Sequence, residues 1–312
     1  MKIRRTSLRI FTGSDLARRS LPLLRAETGV AGPTVWLTAC AHGDEIGGIV
    51  VVQEVFRALE KEHLTRGALL ALPLMNPIGF DSCSRKIPVS EEDLNRSFPG
   101  DAEGTLAQRM AARIFTTLLE SKPEVVLDLH NDWSRSIPYC VLDRLPASPA
   151  TGRAAMLAGA TGFPVVVESD TLRHTLSHSL LKHRVAALTI ELGESSVVNE
   201  ENVALGVTAV WAVLEKLAMV SGSLAQTPLF PALVPAGSLR YSDRPLCSCS
   251  GIIRFLVKPG EEVRPGQRLA HVDDTFGRRR ETIRATARAL VLGVADSSVA
   301  YPGAPVVALG LM

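Results

Sequence analysis

Apolar residues in the first two thirds of the chain fall into short continuous runs that alternate with stretches of helical periodicity. Thr34 to Cys40 (TVWLTAC) is one such run, rich in strand-forming residues, and predicts a strand buried on both faces. Ile46 to Glu60 carries apolar residues at helical spacing, with Gly67 beyond its end, and predicts a helix. Ala68 to Asn76 predicts a second strand, Pro77 to Gly100 a long polar loop, and Thr105 to Leu119 a second helix. Val125 to His130 (VVLDLH), FPVVVES and AALTIELG predict three more strands, and Glu201 to Val220 a long helix. Continuous apolar strands spaced by helices point to an α/β layer with a largely parallel sheet flanked by helices.

The pattern changes near Gly222. Helical periodicity ends there. Short β-like segments recur instead between the turn signals Lys258-Pro259-Gly260, Arg264-Pro265-Gly266, Asp273-Asp274 and Tyr301-Pro302-Gly303. The expectation is an α/β domain over residues 1–222 and a smaller all-β barrel or sandwich over 223–312. The boundary is expected in the Pro-containing stretch between Ser221 and Gly237.

Composition narrows the function classes. With 46% apolar and 21% charged residues, the 312-residue chain can bury a sizeable core. A formal net charge of +2 leaves no broad basic field for nucleic acid, so Arg18-Arg19 and Arg278 to Arg280 read as solvated surface. The start, MKIRRTSLRIF, is charged but lacks the apolar core of a signal peptide, and no apolar run is long enough to span a membrane. Cys40, Cys83, Cys140, Cys247 and Cys249 include no CxxC pair and read as reduced. Cys247 and Cys249 would share one face of a strand, a packing role. A cytoplasmic protein is expected.

Two segments carry ligand-type residues. In ACAHGDEIGG, His42 follows a predicted strand and Glu45 starts the next helix, so an imidazole and a carboxylate can converge on one point. With seven histidines present, an HxxE spacing means little alone. In LDLHND, His130 ends a buried strand, and Asp128 shares its face two residues earlier. Both histidines thus sit at the carboxyl ends of strands, where sites of open α/β sheets assemble. Two histidines and one carboxylate would leave a zinc ion an open fourth position. Asp128 would accept a hydrogen bond from a ligating imidazole and fix its tautomer. Taken alone, two unrelated buried histidines remain the simpler reading.

The loop then adds Asn76-Pro77, Arg85 and EEDLNRSFPG, with Asp93, Asn95 and Arg96, while Glu191 ends another strand in IELGES. HGDE, NP…DLNR…FPG, LDLH and IELG, in that order, resemble the succinylglutamate desuccinylase/aspartoacylase family of the zinc carboxypeptidase-like clan, and most nearly its bacterial deacylase-like branch. The resemblance implies one zinc ion per chain on His42, Glu45 and His130. It implies Glu191 as the general base that takes a proton from the attacking water and delivers it to the leaving amine. Arg85 would polarise the scissile carbonyl and stabilise the oxyanion, and Asn95 with Arg96 would hold a substrate carboxylate. Arg173 is a further candidate for gripping an anionic substrate. The implied reaction is removal of an acyl group from an N-acyl amino acid or similar small amine. A carboxypeptidase-like peptidase and a non-catalytic metal- or ligand-binding relative are the alternatives, and a homodimer is compatible with all three.

Asn131-Asp132-Trp133 departs from the small residue that many relatives carry after LDLH, and Trp133 is a candidate pocket wall. His174, His178 and His183 fall at helix-like spacing, which a polar helix face explains more simply than a second metal. GIIRFLVKPGEEVRPGQRLAHVDD resembles the hairpin of biotinyl- and lipoyl-type domains. The matching later stretch, RATARALVLGV, offers Arg284 and Arg288 but no lysine for a cofactor. In the resembled family, this domain narrows the mouth of the site.

Overall fold

The computed structural model describes residues 1–13, 16–169, 172–222 and 237–312. The chain starts with a hairpin, β1 (Lys2–Thr12) and β2 (Arg18–Glu27), for which the sequence offered no clean alternation. Strand β1 is mostly exposed and buries Leu8 opposite Leu21. Pro22 is tolerated because the neighbouring strand pairs only with Leu24 to Glu27, so its missing N–H is not required there.

The expected α/β unit follows. β3 (Thr34–Ala39) leads into α1 (Gly47–Glu62), and β4 (Ala68–Leu72) stops before Pro73. The polar loop is not structureless: it contains α2 (Pro77–Asp81), capped by Asn76, and a single 3-10 turn over Leu94–Arg96, capped by Asp93. α3 (Leu106–Glu120) opens with a Thr105–Gln108 capping box. β5 (Val125–Asp132), β6 (Arg135–Ser136) and β7 (Tyr139–Leu142) precede α4 (Pro149–Ala160), an alanine-rich helix with little apolar contrast. β8 (Val165–Val167), α5 (Leu176–Lys182), β9 (Ala186–Glu194) and α6 (Glu200–Lys216) complete this part.

Strands β4, β3, β5 and β9 run parallel in the middle of one mixed sheet, and β7 turns antiparallel to β9. Their apolar residues are buried on both faces, as the continuous runs predict. One core cluster forms where α1 and α6 cover the sheet around Phe56 and Trp211. A second lies where α3 covers the opposite face around Trp36 and Phe98. Gly48 permits the close seating of α1, since a Cβ there would stand 2.9 Å from the Cβ atoms of Ala39 and Leu129.

The remaining elements are β10 (Leu239–Ser242), β11 (Gly251–Phe255), β12 (Glu262–Val263), β13 (Arg268–Asp273), β14 (Arg279–Arg284), β15 (Ala289–Val294), β16 (Val299–Ala300) and β17 (Val307–Leu311). Among the described residues none of this segment is helical. β14, β13, β11 and β16 form a four-stranded antiparallel sheet. β10, β17, β15 and β12 instead extend the α/β sheet, through the parallel pairing of β10 with β8. The C-terminal part is thus a β-rich unit whose inner sheet is continuous with the α/β sheet. The expected boundary lies outside the described residues. β6 also pairs with β15, the Ser134 amide donates to Asp296 at 2.5 Å, and Arg135 stacks over Phe255 at 4.7 Å. The loop behind His130 is therefore held by the C-terminal unit.

Candidate metal centre

His42 lies just beyond β3, Glu45 just ahead of α1, and His130 near the end of β5. The helix start lacks a side-chain cap. Its Gly47 amide donates to the Asn131 side chain instead, at 3.1 Å, which ties α1 to β5. All three expected ligands are buried, and one donor atom from each lies within 4.8 Å of the others. Among the described residues no other group of histidine, cysteine or acidic side chains meets this test.

Both imidazoles turn the same nitrogen inward. His42 Nδ1 lies 2.6 Å from Glu45 Oε1, and His130 Nδ1 lies 2.7 Å from Glu45 Oε2. The outer nitrogens face carboxylates: His42 Nε2 is 3.1 Å from Asp93 Oδ1, and His130 Nε2 is 3.0 Å from Asp128 Oδ2. Thr38 fixes Asp128 by donating at 2.7 Å to its other oxygen. Two inward nitrogens, one carboxylate and two outer carboxylates that set the tautomers form a donor set that fits zinc. The thiol of nearby Cys40 is pushed up to about 12 by burial and by Glu45, so it is a neutral packing group.

Electrostatics follow from this enclosure. Burial opposes charge on Glu45, but His42 and His130 more than offset it and hold the carboxyl well below the usual carboxylate range. Burial likewise opposes charge on His130, yet Asp128 and Glu45 raise the imidazole well above its ordinary value. Asp93 is held low, against burial, chiefly by its hydrogen bond with His42. Glu191 moves the other way. Burial and the charge of Asp132 raise it, and its Oε2 is buried without a hydrogen-bond partner among the described residues.

His42, Glu45, His130 and Glu191 line one cavity of about 570 Å³. Arg85, Asn95 and Arg96 also line it. Arg85 Nη1 stands 3.5 Å from Glu45 Oε1, and its Nη2 donates to Asp93 at 3.2 Å. Asn95 is buried: Leu176 N donates to its Oδ1 at 2.9 Å, and its amide nitrogen lies 3.3 Å from His130 Nε2. Arg173 is exposed on the turn before α5 and is not among the lining residues. Trp133 is also absent from the lining and packs over Gly293 of β15. The three spaced histidines do not converge. His178 alone lies within α5, while His174 and His183 bind the backbone carbonyls of Phe98 and Ser179.

Sequence reasoning missed two participants. Asp93 stood inside the DLNR block without a role, although an aspartate two residues ahead of Asn95 is a turn-capping signal; its Oδ1 accepts from the Asn95 amide at 2.8 Å. Tyr139, buried in the cavity wall, pairs with Glu191 across β7 and β9 and donates to Asp132 at 2.5 Å. No local spacing signals it, because a strand crossover brings it there.

Comparison with known proteins agrees with this geometry. The succinylglutamate desuccinylase/aspartoacylase catalytic domain matches residues 31–217. An N-alpha-acetyl-L-2,4-diaminobutyric acid deacetylase from Halomonas elongata is 31% identical over 256 residues, 78% of this chain and 71% of that protein. The product-bound ectoine utilization protein of Ruegeria pomeroyi superposes with a TM-score of 0.83 at 21% identity, over 99% of this chain and 95% of its own. A metallo-carboxypeptidase from Burkholderia cenocepacia shares the fold more distantly, with a TM-score of 0.55 at 17% identity over 67% of this chain and 63% of its own. The chain belongs to the succinylglutamate desuccinylase/aspartoacylase family.

Proposed function

We propose that this protein is a zinc-dependent amidohydrolase that removes an acyl group from an N-acyl amino acid or similar small amine. One juxtaposition carries the reading: a buried His–Glu–His donor set and a carboxyl with a buried, unpartnered oxygen line the same cavity. A protein that only binds a ligand needs the donors but not the acid beside them.

His42, Glu45 and His130 would hold the ion, which when bound supplies a Lewis acid and lowers the pKa of water to about 7. Glu191 accepts a proton from the attacking water and returns it to the departing nitrogen. Its raised pKa suits the second task, because the carboxyl then holds that proton near neutrality. Arg85 brings positive charge to the developing oxyanion, and Arg96, beside the fixed Asn95, takes the substrate carboxylate. Arg173, outside the cavity, adds positive charge near its approach. Tyr139 holds Asp132 beside the base.

The cavity volume lies in the small-molecule range of about 300–1,000 Å³. The deacetylation named for the Halomonas relative supports an N-acylated amino acid over a polymer. The same reading makes the protein cytoplasmic, with a C-terminal unit that restricts access to the site. Among the described residues no helix is long and apolar enough to cross a membrane.

The test is metal analysis of the wild type and of Glu191→Gln, with turnover on N-acetyl, N-succinyl and N-formyl amino acids and on dipeptides. Zinc retained with turnover of an N-acyl amino acid reduced about 100- to 10,000-fold in the variant is the expected result. A wild type that binds no zinc, or that cleaves only the dipeptides, refutes it.

A further inference from the structure

The register between β5 and β9 breaks beside the cavity. His130 pairs with Glu191, but the next partners are Asp132 and Glu194. One residue of β5, Asn131, therefore stands opposite two of β9, Leu192 and Gly193. This is a β-bulge, and it begins immediately after an expected ligand and the expected base. Gly193 lies at φ +79°, a conformation that glycine adopts without strain. A bulge bends its strand and interrupts the ladder, so carbonyls beside it need other donors.

The Asn131 side chain supplies them. Strand alternation turns it away from His130 and onto the face of Leu129, which packs beneath α1. Its Nδ2 donates to the Gly193 carbonyl at 2.9 Å and to the Glu194 carbonyl at 3.0 Å, and its Oδ1 accepts from the Gly47 amide at 3.1 Å. Glycine at position 47 leaves room for this, since a Cβ there would stand 2.9 Å from Asn131 Nδ2. One buried amide thus joins three segments, each carrying a residue of the site: Glu45 ahead of α1, His130 on β5 and Glu191 on β9. Asn131 borders the cavity, but the two carbonyls take both of its amide hydrogens, so it has none to offer a ligand.

We infer that Asn131 is a positioning residue that sets where Glu191 stands relative to His42, Glu45 and His130, by clamping the β9 bulge to β5 and to the start of α1. This rests on the deacylase reading above, which gives Glu191 its task. A capping or packing role alone would cost only stability. The clamp predicts more, because Glu191 lies two residues from Gly193, and misplacing a reacting group by about 1 Å costs about 100-fold in rate. Zinc binding depends on the side chain less. The contact to Glu45 Oε2 comes from the Asn131 main-chain amide, at 3.1 Å, and survives substitution.

The test compares Asn131→Ala with the wild type as zinc-loaded full chains. On N-acyl amino acids kcat should fall about 100-fold, with KM unchanged within a few-fold. Zinc affinity, measured by chelator competition, should fall by less than about 10-fold, since no ligand loses a direct partner. Hydrogen exchange read by mass spectrometry should quicken by about 10-fold at Gly47 and over residues 192–194, and not in the C-terminal four-stranded sheet. If Asn131→Ala does not melt cooperatively, the isosteric Asn131→Asp takes its place, read by exchange alone because its new charge also acts on turnover. It keeps an acceptor for Gly47 but loses both donors, so only residues 192–194 should exchange faster. A folded Asn131→Ala with wild-type kcat overturns the inference, as does exchange that is unchanged or raised evenly over the sheet in either variant. Local exchange at these places, in a protein whose wild type hydrolyses none of the N-acyl amino acids, would instead refute the deacylase reading and leave the clamp standing.

Discussion

Asp93 holds three groups at once, and removing it measures how far the proposed metal centre depends on support from the loop. Its Oδ1 faces His42 Nε2 at 3.1 Å and accepts from the Asn95 amide at 2.8 Å, while its Oδ2 accepts from Arg85 at 3.2 Å. These contacts differ in weight. The Arg85 side chain is 48% exposed, so that ion pair contributes about 0.5 kcal/mol. The His42 side chain is 4% exposed, and its bond to a carboxylate fixes the nitrogen that turns inward. Losing such a partner costs about 10- to 100-fold in metal affinity, or roughly 1.4–2.7 kcal/mol. Asp93→Ala should therefore weaken zinc binding by that factor, measured by competition with a chromophoric chelator. Asp93→Asn keeps an acceptor oxygen and should lose only about 3- to 10-fold. At saturating zinc a residual defect in kcat/KM should persist in Asp93→Ala, since Arg85 and Asn95 are also released. A folded Asp93→Ala protein with wild-type zinc affinity would show that His42 is held by other means.

Other consequences follow from the same geometry. Gly43→Ala places a Cβ 1.9 Å from the Gly79 carbonyl carbon and 2.2 Å from Phe80 N, a backbone collision that should cost about 3 kcal/mol or more. An unchanged urea midpoint would contradict that packing. Because His130 is raised well above its ordinary value, it is charged near pH 7, and zinc held there as proposed would displace its proton. Calorimetry in buffers of different ionisation enthalpy should find about one proton released, and affinity should rise with pH through neutrality; no release would refute the assignment. Asp143 has a raised folded-state value, so its charge destabilises the protein above about pH 6, and the penalty fades as pH falls toward the unfolded value of 3.8. Asp143→Asn should thus stabilise by on the order of 1 kcal/mol at pH 8 and much less at pH 4.5. Melting curves showing an equal gain at both pH values would exclude a desolvated carboxylate.

Much of this protein is legible along the chain because burial on both faces leaves a local trace. The runs at Val35, Leu69, Val126 and Leu188 announce central strands, and the helical spacing after Ile46 announces α1. The HGDE, DLNR, LDLH and IELG blocks hold the residues that meet at the candidate site, since each lies on one short segment at a strand or helix end. The edge hairpin escaped because an exposed strand need not alternate, and α4 escaped because alanine contributes little apolar contrast. What only the tertiary structure decided are relations between distant segments: Asp93 behind His42, Tyr139 beside Glu191, and the merging of the C-terminal strands with the α/β sheet. It also decided which charges are withdrawn from water. The sequence carries 34 basic and 32 acidic residues with nothing to say which are buried, but burial, which depends on every neighbouring element, leaves the cavity's arginines exposed and withdraws Glu45, Asp132, Asp143 and Glu191 from water.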